Sequence, residues 1–366
     1  MNRIPPLLLY ALLFSLNCIG QADFADKLNQ PIRELPNASP ASVGMNDDSI
    51  KNLIQLINTN PPNDFRGMVV IKDNKLVVEK YFNTYWRATV LDIRSAGKGV
   101  TSLLLGIALD KGLVRNIEQS IYDFFPGPKY LSPANDGHRD IKIRNLLSMS
   151  SGLSADDRDE NSPGMMTNWI TRADWVDFAT TLPMIFKPGE KYVYNDVCPM
   201  LIGAIIEQAS GQKLADFARE NLFSPLGITE FYWYTAPNGH TVPMGNLYIS
   251  TLDFAKIGLL VLNKGRWQGV KVVSENWVSE MVKERFDISK LDPFASGYGY
   301  FWFRGSKDIN GRKIDYYYAS GNGGNLCLVV PSENMVVSLT SSAYGQGYAH
   351  YRSLNIFAYL LKSLVK

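Results

Sequence analysis

Apolar positions follow two rhythms along this chain. Toward both ends they come in short runs bounded by turn residues. Residues 66–72 and 75–82 flank Asp73-Asn74, the pattern of two strands joined by a tight hairpin. Residues 297–303, 313–320, 325–331 and 335–341 read as further strands. Between residue 116 and about residue 284 the spacing is helical instead. A short apolar segment at 143–149 precedes a helix pair, 198–209 and 213–221, broken at Ser210-Gly211. A mostly buried helix is expected at 250–263 and an amphipathic one at 275–283. A short helix at 49–58 and a last one at 349–365 complete the pattern. Strands at both ends with helices between them fit one mixed domain built from both termini around a helical insertion.

One helix begins at Ala96 and stops at Gly112. Val100, Leu103, Leu104, Ile107, Ala108 and Leu109 cover so much of its circumference that it must be buried. Ser95 and Lys98 stand at its front, one turn apart on one face. A hydroxyl beside an amine at a helix start is the arrangement a serine nucleophile with a lysine base requires. Ser-x-x-Lys recurs at Ser210/Lys213 and Ser363/Lys366, so the spacing alone is weak. Only the first opens a buried helix.

Composition is that of a globular protein with a real core: 366 residues, 46% hydrophobic, 20% charged. A formal net charge of +2, without a basic cluster, gives no electrostatic case for nucleic acid. Residues 1–20 read as a signal peptide: Asn2 and Arg3, then an apolar stretch over 4–19, too short and interrupted for a span. The expected location is periplasmic or secreted, with no membrane span in the mature chain. Cys18 raises a lipoprotein alternative, but Ser15-Leu16-Asn17 is a poor lipobox. Cys198 and Cys327 lie in apolar surroundings and read as buried free thiols, with a disulfide as the alternative. No Cys/His spacing marks a metal site. His138, His240 and His350 are lone residues without a triad signature.

Two later stretches could complete a site around Ser95. Pro188-Gly189 leads to Tyr194 just before a helix, and a phenol near a lysine could relay a proton. Tyr317 to Asn325 is a strand running into glycines, where a backbone N–H can serve an oxyanion. Asp156, Asp157, Asp159 and Glu160 read as a solvated acidic loop, with selection of cationic substrates at a cleft edge as the alternative. The aromatic stretches 231–234 and 298–303 read as strand packing, with an acyl pocket as the alternative.

Taken in order, Ser95-x-x-Lys98, residues 146–153 (Leu-Leu-Ser-Met-Ser-Ser-Gly-Leu), Pro188-Gly189 to Tyr194, residues 245–253 and Gly321-x-Gly323-Gly324 resemble the serine beta-lactamase-related family. Its members include class C beta-lactamases, D-Ala-D-Ala carboxypeptidases, family VIII esterases and 6-aminohexanoate-dimer hydrolases. The resemblance implies an α+β fold: an antiparallel sheet flanked by helices, plus an all-helical lobe. It assigns the nucleophile to Ser95, its activating partner to Lys98 and the relay tyrosine to Tyr194. The oxyanion hole falls to the N–H groups of Ser95 and Asn322, and substrate contacts to Asp196, Ser320 and Gly321. No metal or organic cofactor is implied.

Two positions depart from the family pattern. The Tyr-x-Asn motif reads Tyr194-Asn195-Asp196, so its last residue is an aspartate or the register is shifted. The Lys-Thr-Gly or His-Thr-Gly motif reads Ala319-Ser320-Gly321, without the cation that helps to hold a substrate carboxylate. The expectation is an exported serine hydrolase cleaving a small ester, amide or peptide through an acyl-enzyme. The alternatives are a beta-lactamase or D-Ala-D-Ala carboxypeptidase, and a catalytically silent binding protein of the same fold. The expected division is a linker at 21–45 and the catalytic domain at 46–366. Within it the sheet lobe takes about 46–115 and 290–366, and the helical lobe about 116–289.

Overall fold

The computed structural model describes residues 34–59, 62–130 and 136–365. The signal segment, with Cys18, lies outside them. Helix α1 (Asp47–Thr59) precedes strands β1 (Phe65–Lys72) and β2 (Lys75–Tyr81). Asp73 and Asn74 both hold positive φ (52° and 58°), which makes the two-residue hairpin foreseen from their side chains. Short strand β3 (Val90–Asp92) leads to α2 (Gly97–Asp110). Then follow α3 (Ile143–Leu147), α4 (Trp175–Thr181), α5 (Val197–Ser210) and α6 (Leu214–Ala218). Strands β4 (Tyr232–Trp233) and β5 (Leu247–Ser250) come before α7 (Thr251–Leu262) and α8 (Glu275–Val282). The chain ends in β6 (Phe286–Asp287), β7 (Gly297–Tyr298), β8 (Phe303–Ile309), β9 (Arg312–Gly321), β10 (Asn325–Val330), β11 (Met335–Ser341) and α9 (Tyr348–Lys362).

Eight strands form one antiparallel sheet in the order β2-β1-β11-β10-β9-β8-β7-β6. The seam where the first hairpin meets the last strands is the β1–β11 pair, with Met68 opposite Leu339 and Val70 opposite Val337. A second sheet, β3-β5-β4, ties the approach to α2 to the segment before α7. The α+β architecture of an antiparallel sheet flanked by helices is therefore as expected.

Three local expectations change. The single strand at 297–303 is two strands, β7 and β8, with a turn at Phe301 (φ 62°) between them. Strand β8 was invisible because it is half exposed and carries Arg304, Ser306, Lys307 and Asp308. Residues 36–45, expected as a linker, are bonded to the sheet: Leu76 N donates to the Pro36 carbonyl, and Val43 and Met45 are buried. Helix α7, expected in the helical lobe, packs across β1, β10 and β11. Cys327 under it donates to the Phe254 carbonyl, and both cysteines are free and buried.

Helix α2 runs through the centre, buried from Gly97 to Ala108. Gly106 lets it approach α8, where Trp277 Nε1 donates to the Ser102 carbonyl at 3.0 Å. A Cβ at Gly106 would land in the Trp277 ring. Gly106→Val should destabilise the fold by about 1–3 kcal/mol, the usual cost of overpacking. Urea unfolding of the variant beside the wild type measures it.

Candidate active site

Ser95 lies in a single 3-10 turn, Arg94–Ala96, that feeds into α2. Arg94 before it holds φ 54°, a costly conformation for a long side chain. Asp92 maintains it: its Oδ1 accepts from Arg94 N at 2.8 Å, and its Oδ2 pairs with Arg94 Nε at 3.2 Å. The guanidinium also lies 4.3 Å over the Tyr344 ring, and Asn246 Nδ2 donates to Asp92 Oδ2 at 3.1 Å. The turn that presents the nucleophile is thus braced from β3, from the β5 approach and from the segment before α9.

Lys98 is 2% exposed. Its Nζ donates to Ser95 Oγ at 3.1 Å and to the Met244 carbonyl at 3.0 Å, and pairs with Asp196 Oδ1 at 2.7 Å. The Tyr194 ring stands 4.9 Å from the same nitrogen. Burial opposes the ammonium, but Asp196 first and Tyr194 second outweigh it and hold Lys98 protonated above its ordinary range. Sequence order hides this convergence. Met244 immediately precedes the 245–253 motif, whose members cap α7 (Ser250 Oγ accepts from Asp253 N at 3.0 Å) and reach Asp92.

The Tyr194 segment rests on residues 146–153. Val193 N donates to the Met149 carbonyl and Gly189 N to the Ser150 carbonyl. Asn195 Oδ1 accepts from Cys198 N and caps α5, which leaves Asp196 directed at Lys98. The motif register is therefore unshifted, and the Asp196 carboxylate is engaged by the lysine.

On the opposite wall, Gly321 ends β9 against the Ile93 carbonyl and the Ala96 amide, and a Cβ there would collide with that carbonyl. This close approach sets Asn322 beside the Ser95 turn. Ala319 is 1% exposed and faces Gly99 of α2, where Trp302 also packs. Ser320 Oγ hydrogen-bonds His350 Nε2 of α9 at 3.1 Å. Burial pushes the His350 pKa down, against the pull of Asp292.

Two site residues were missed in the sequence. His350 gave no signal, being thirty positions from Ser320 on another element. Asp157 did give one, as part of the acidic run, but its solvated reading is wrong for this member. Its N–H donates to the Tyr194 carbonyl at 3.0 Å, and its carboxyl meets Asp196 and Lys98. Burial and then the Asp196 carboxylate push the Asp157 pKa up to about 7, against Lys98. Asp159 and Glu160 are exposed as expected; Tyr298, Tyr300, Phe301 and Trp302 are core, while Phe303 is half-buried and stacks on Tyr194.

Other candidates stay separate. Ser210 and Ser363 spend their hydroxyls on the Ile206 and Leu360 carbonyls. His240 pairs with Glu207. Among the described residues no group of three His, Cys, Asp or Glu is placed to hold a metal. No described helix is long and apolar enough to cross a membrane. An apolar groove between α1 and α9, lined by Leu53, Phe65, Tyr351 and Tyr359, contains no nucleophile–base pair.

The chain as a whole is similar to known proteins. A family profile described as Beta-lactamase covers residues 59–361. An Escherichia coli (strain K12) protein provisionally named a D-alanyl-D-alanine carboxypeptidase is 24% identical over 244 residues, 61% of this chain and 54% of its own. The chain spans about half the length of the curated relatives it matches. A solved structure from Bacillus anthracis, provisionally named a 6-aminohexanoate-dimer hydrolase, superposes with a TM-score of 0.68 at 19% identity, covering 92% of this chain and 89% of its own. A family VIII carboxylesterase superposes with a TM-score of 0.68 at 16% identity, over 87% and 97%. At such identities the structural likeness speaks for the fold.

A carboxyl raised by folding stabilises the protein only while it keeps its proton. The contribution of Asp157 is fully present below pH 3.8 and is lost as pH rises through about 7. Asp157→Asn should therefore flatten the fall in stability over that interval. Denaturant midpoints of both proteins at several pH values test this.

Proposed function

Because the chain belongs to the beta-lactamase family, we propose that it is a serine hydrolase that cleaves an ester or amide through an acyl-enzyme on Ser95. One observation carries the reading: Ser95 Oγ lies 3.1 Å from Lys98 Nζ at the front of a buried helix. Lys98 aligns the hydroxyl and carries its proton, with Tyr194 over the same ammonium as the second relay group. The attacked carbonyl oxygen sits between the Ser95 and Asn322 N–H groups, where each donor contributes about 3 kcal/mol. Water then hydrolyses the acyl-enzyme. Ser320 and Gly321 line the substrate edge, and Asp196 serves the lysine. The leader pattern at 1–20 supports a location outside the cytoplasm. The mature chain divides into a sheet lobe and a helical lobe with Ser95 between them.

Ala319 bears on substrate class. Penicillins, cephalosporins and D-Ala-D-Ala peptides carry a carboxylate, and a charge-assisted hydrogen bond to it contributes about 1.5–3 kcal/mol. Without a cation at position 319, such substrates lose about 10- to 100-fold in rate. A neutral ester loses nothing. The D-alanyl-D-alanine carboxypeptidase reading draws on the named relatives and needs a cation from elsewhere in the cleft.

A fluorophosphonate should label the wild type at Ser95, and Ser95→Ala should lose both label and turnover while remaining folded. Short-chain p-nitrophenyl esters should be hydrolysed and a chromogenic cephalosporin hardly at all. Cephalosporin turnover faster than ester turnover would refute the esterase reading; no label and no turnover would favour a silent binding protein. Ala319→Lys should destabilise the fold and gain no cephalosporin activity, because its side chain would have to displace Gly99 and Trp302.

A further inference from the structure

One acceptor atom in the site lacks a donor: Asp157 Oδ1 is buried without a hydrogen bond. The Asp196 carboxyl beside it has the Lys98 ammonium 2.7 Å from its Oδ1. A buried orphan acceptor is costly, and a proton between neighbouring carboxyls relieves it. Asp157 is held beside Asp196 by its N–H bond to the Tyr194 carbonyl. The ionisable groups that face it are Asp196 and Cys198 on and before α5, and Lys98 on α2.

Lys98 raises a complementary problem. An ammonium has three donors and no acceptor. All three directions are taken, by Ser95 Oγ, the Met244 carbonyl and Asp196. Lys98 can receive the Ser95 proton only by passing one of its own on. The carboxylate it touches is Asp196.

We infer that Asp157 and Asp196 act as a carboxyl pair that takes up, through Lys98, the proton that Ser95 sheds on acylation. This rests on Ser95 and Lys98 being the nucleophile and its partner. Ser95 Oγ forms a bond to the carbonyl carbon, and the carbonyl π pair moves to the oxygen. The Oγ–H proton goes to Lys98 Nζ as Lys98 delivers another proton to Asp196, which shares it with Asp157. On collapse of the intermediate the proton returns by the same path to the departing alkoxide or amine. A pair that already holds a proton cannot take another, so acylation should rise with pH as that proton leaves. Asp157 acts through Asp196 and is a positioning residue.

The test follows the rate of Ser95 labelling by a fluorophosphonate from about pH 5 to about pH 9. It needs no natural substrate: Oγ–P forms, fluoride leaves, and the serine proton must go the same way. The wild-type rate should rise along a limb centred near pH 7. In Asp157→Asn the limb should move down by about one unit or more, so labelling near pH 5.5 is about tenfold faster relative to the variant's own plateau. Asp157→Glu should restore the limb. If Asp157→Asn fails to fold, Asp157→Ser carries the same expectation. A limb that stays in place in a folded, labelled Asp157→Asn protein overturns the proton-sharing pair and leaves the nucleophile assignment intact. Failure to label Ser95 in the wild type overturns both.

Discussion

The buried Lys98 ammonium is the constraint on which the site depends. Taking a charge out of water is tolerable only when its donors are met. Here they are met by three segments far apart in sequence: the turn at Ser95, the carbonyl of Met244 and the carboxylate of Asp196. Each is immobilised for its own reason. Ser95 is braced through Arg94 and Asp92, Met244 by the short strand β5 that follows it, and Asp196 by the Asn195 cap on α5. The lysine therefore does more than assist a hydroxyl. It requires that the helical region and the small β3-β5-β4 sheet meet at one point.

Much of this was legible in the residues. The Asp73-Asn74 hairpin, the buried α2 with Ser95 and Lys98 at its front, and the strands flanking Gly323-Gly324 follow from periodicity and turn chemistry. What escaped had a common cause. Strand β8 is paired on both sides yet polar on its outward face, so its signal is in neighbours that the sequence does not display. Asp157 sits in a run of acids in which Asp159 and Glu160 are exposed, and only the fold separates it from them. The Ser320–His350 bond joins a strand to a helix that returns to it after β10 and β11.

The departures from the family pattern are also consistent with one another. Ala319 leaves room for α2 to lie close at Gly99, with Trp302 filling the remaining volume. At position 319 this chain places packing. A second carboxyl, Asp157, stands beside Asp196 and near Lys98.

The seam between β1 and β11 bears on how the protein is made. Met68 pairs with Leu339, so the middle of the sheet joins the first strand of the domain to the last. A ribosome releasing this chain has α2 and the helical segments long before it has the partner of β1. Until then the apolar strand Phe65–Lys72 has only β2 beside it. Contacts of such separation slow folding and leave strand edges open. The central sheet can close only after its last strand has arrived.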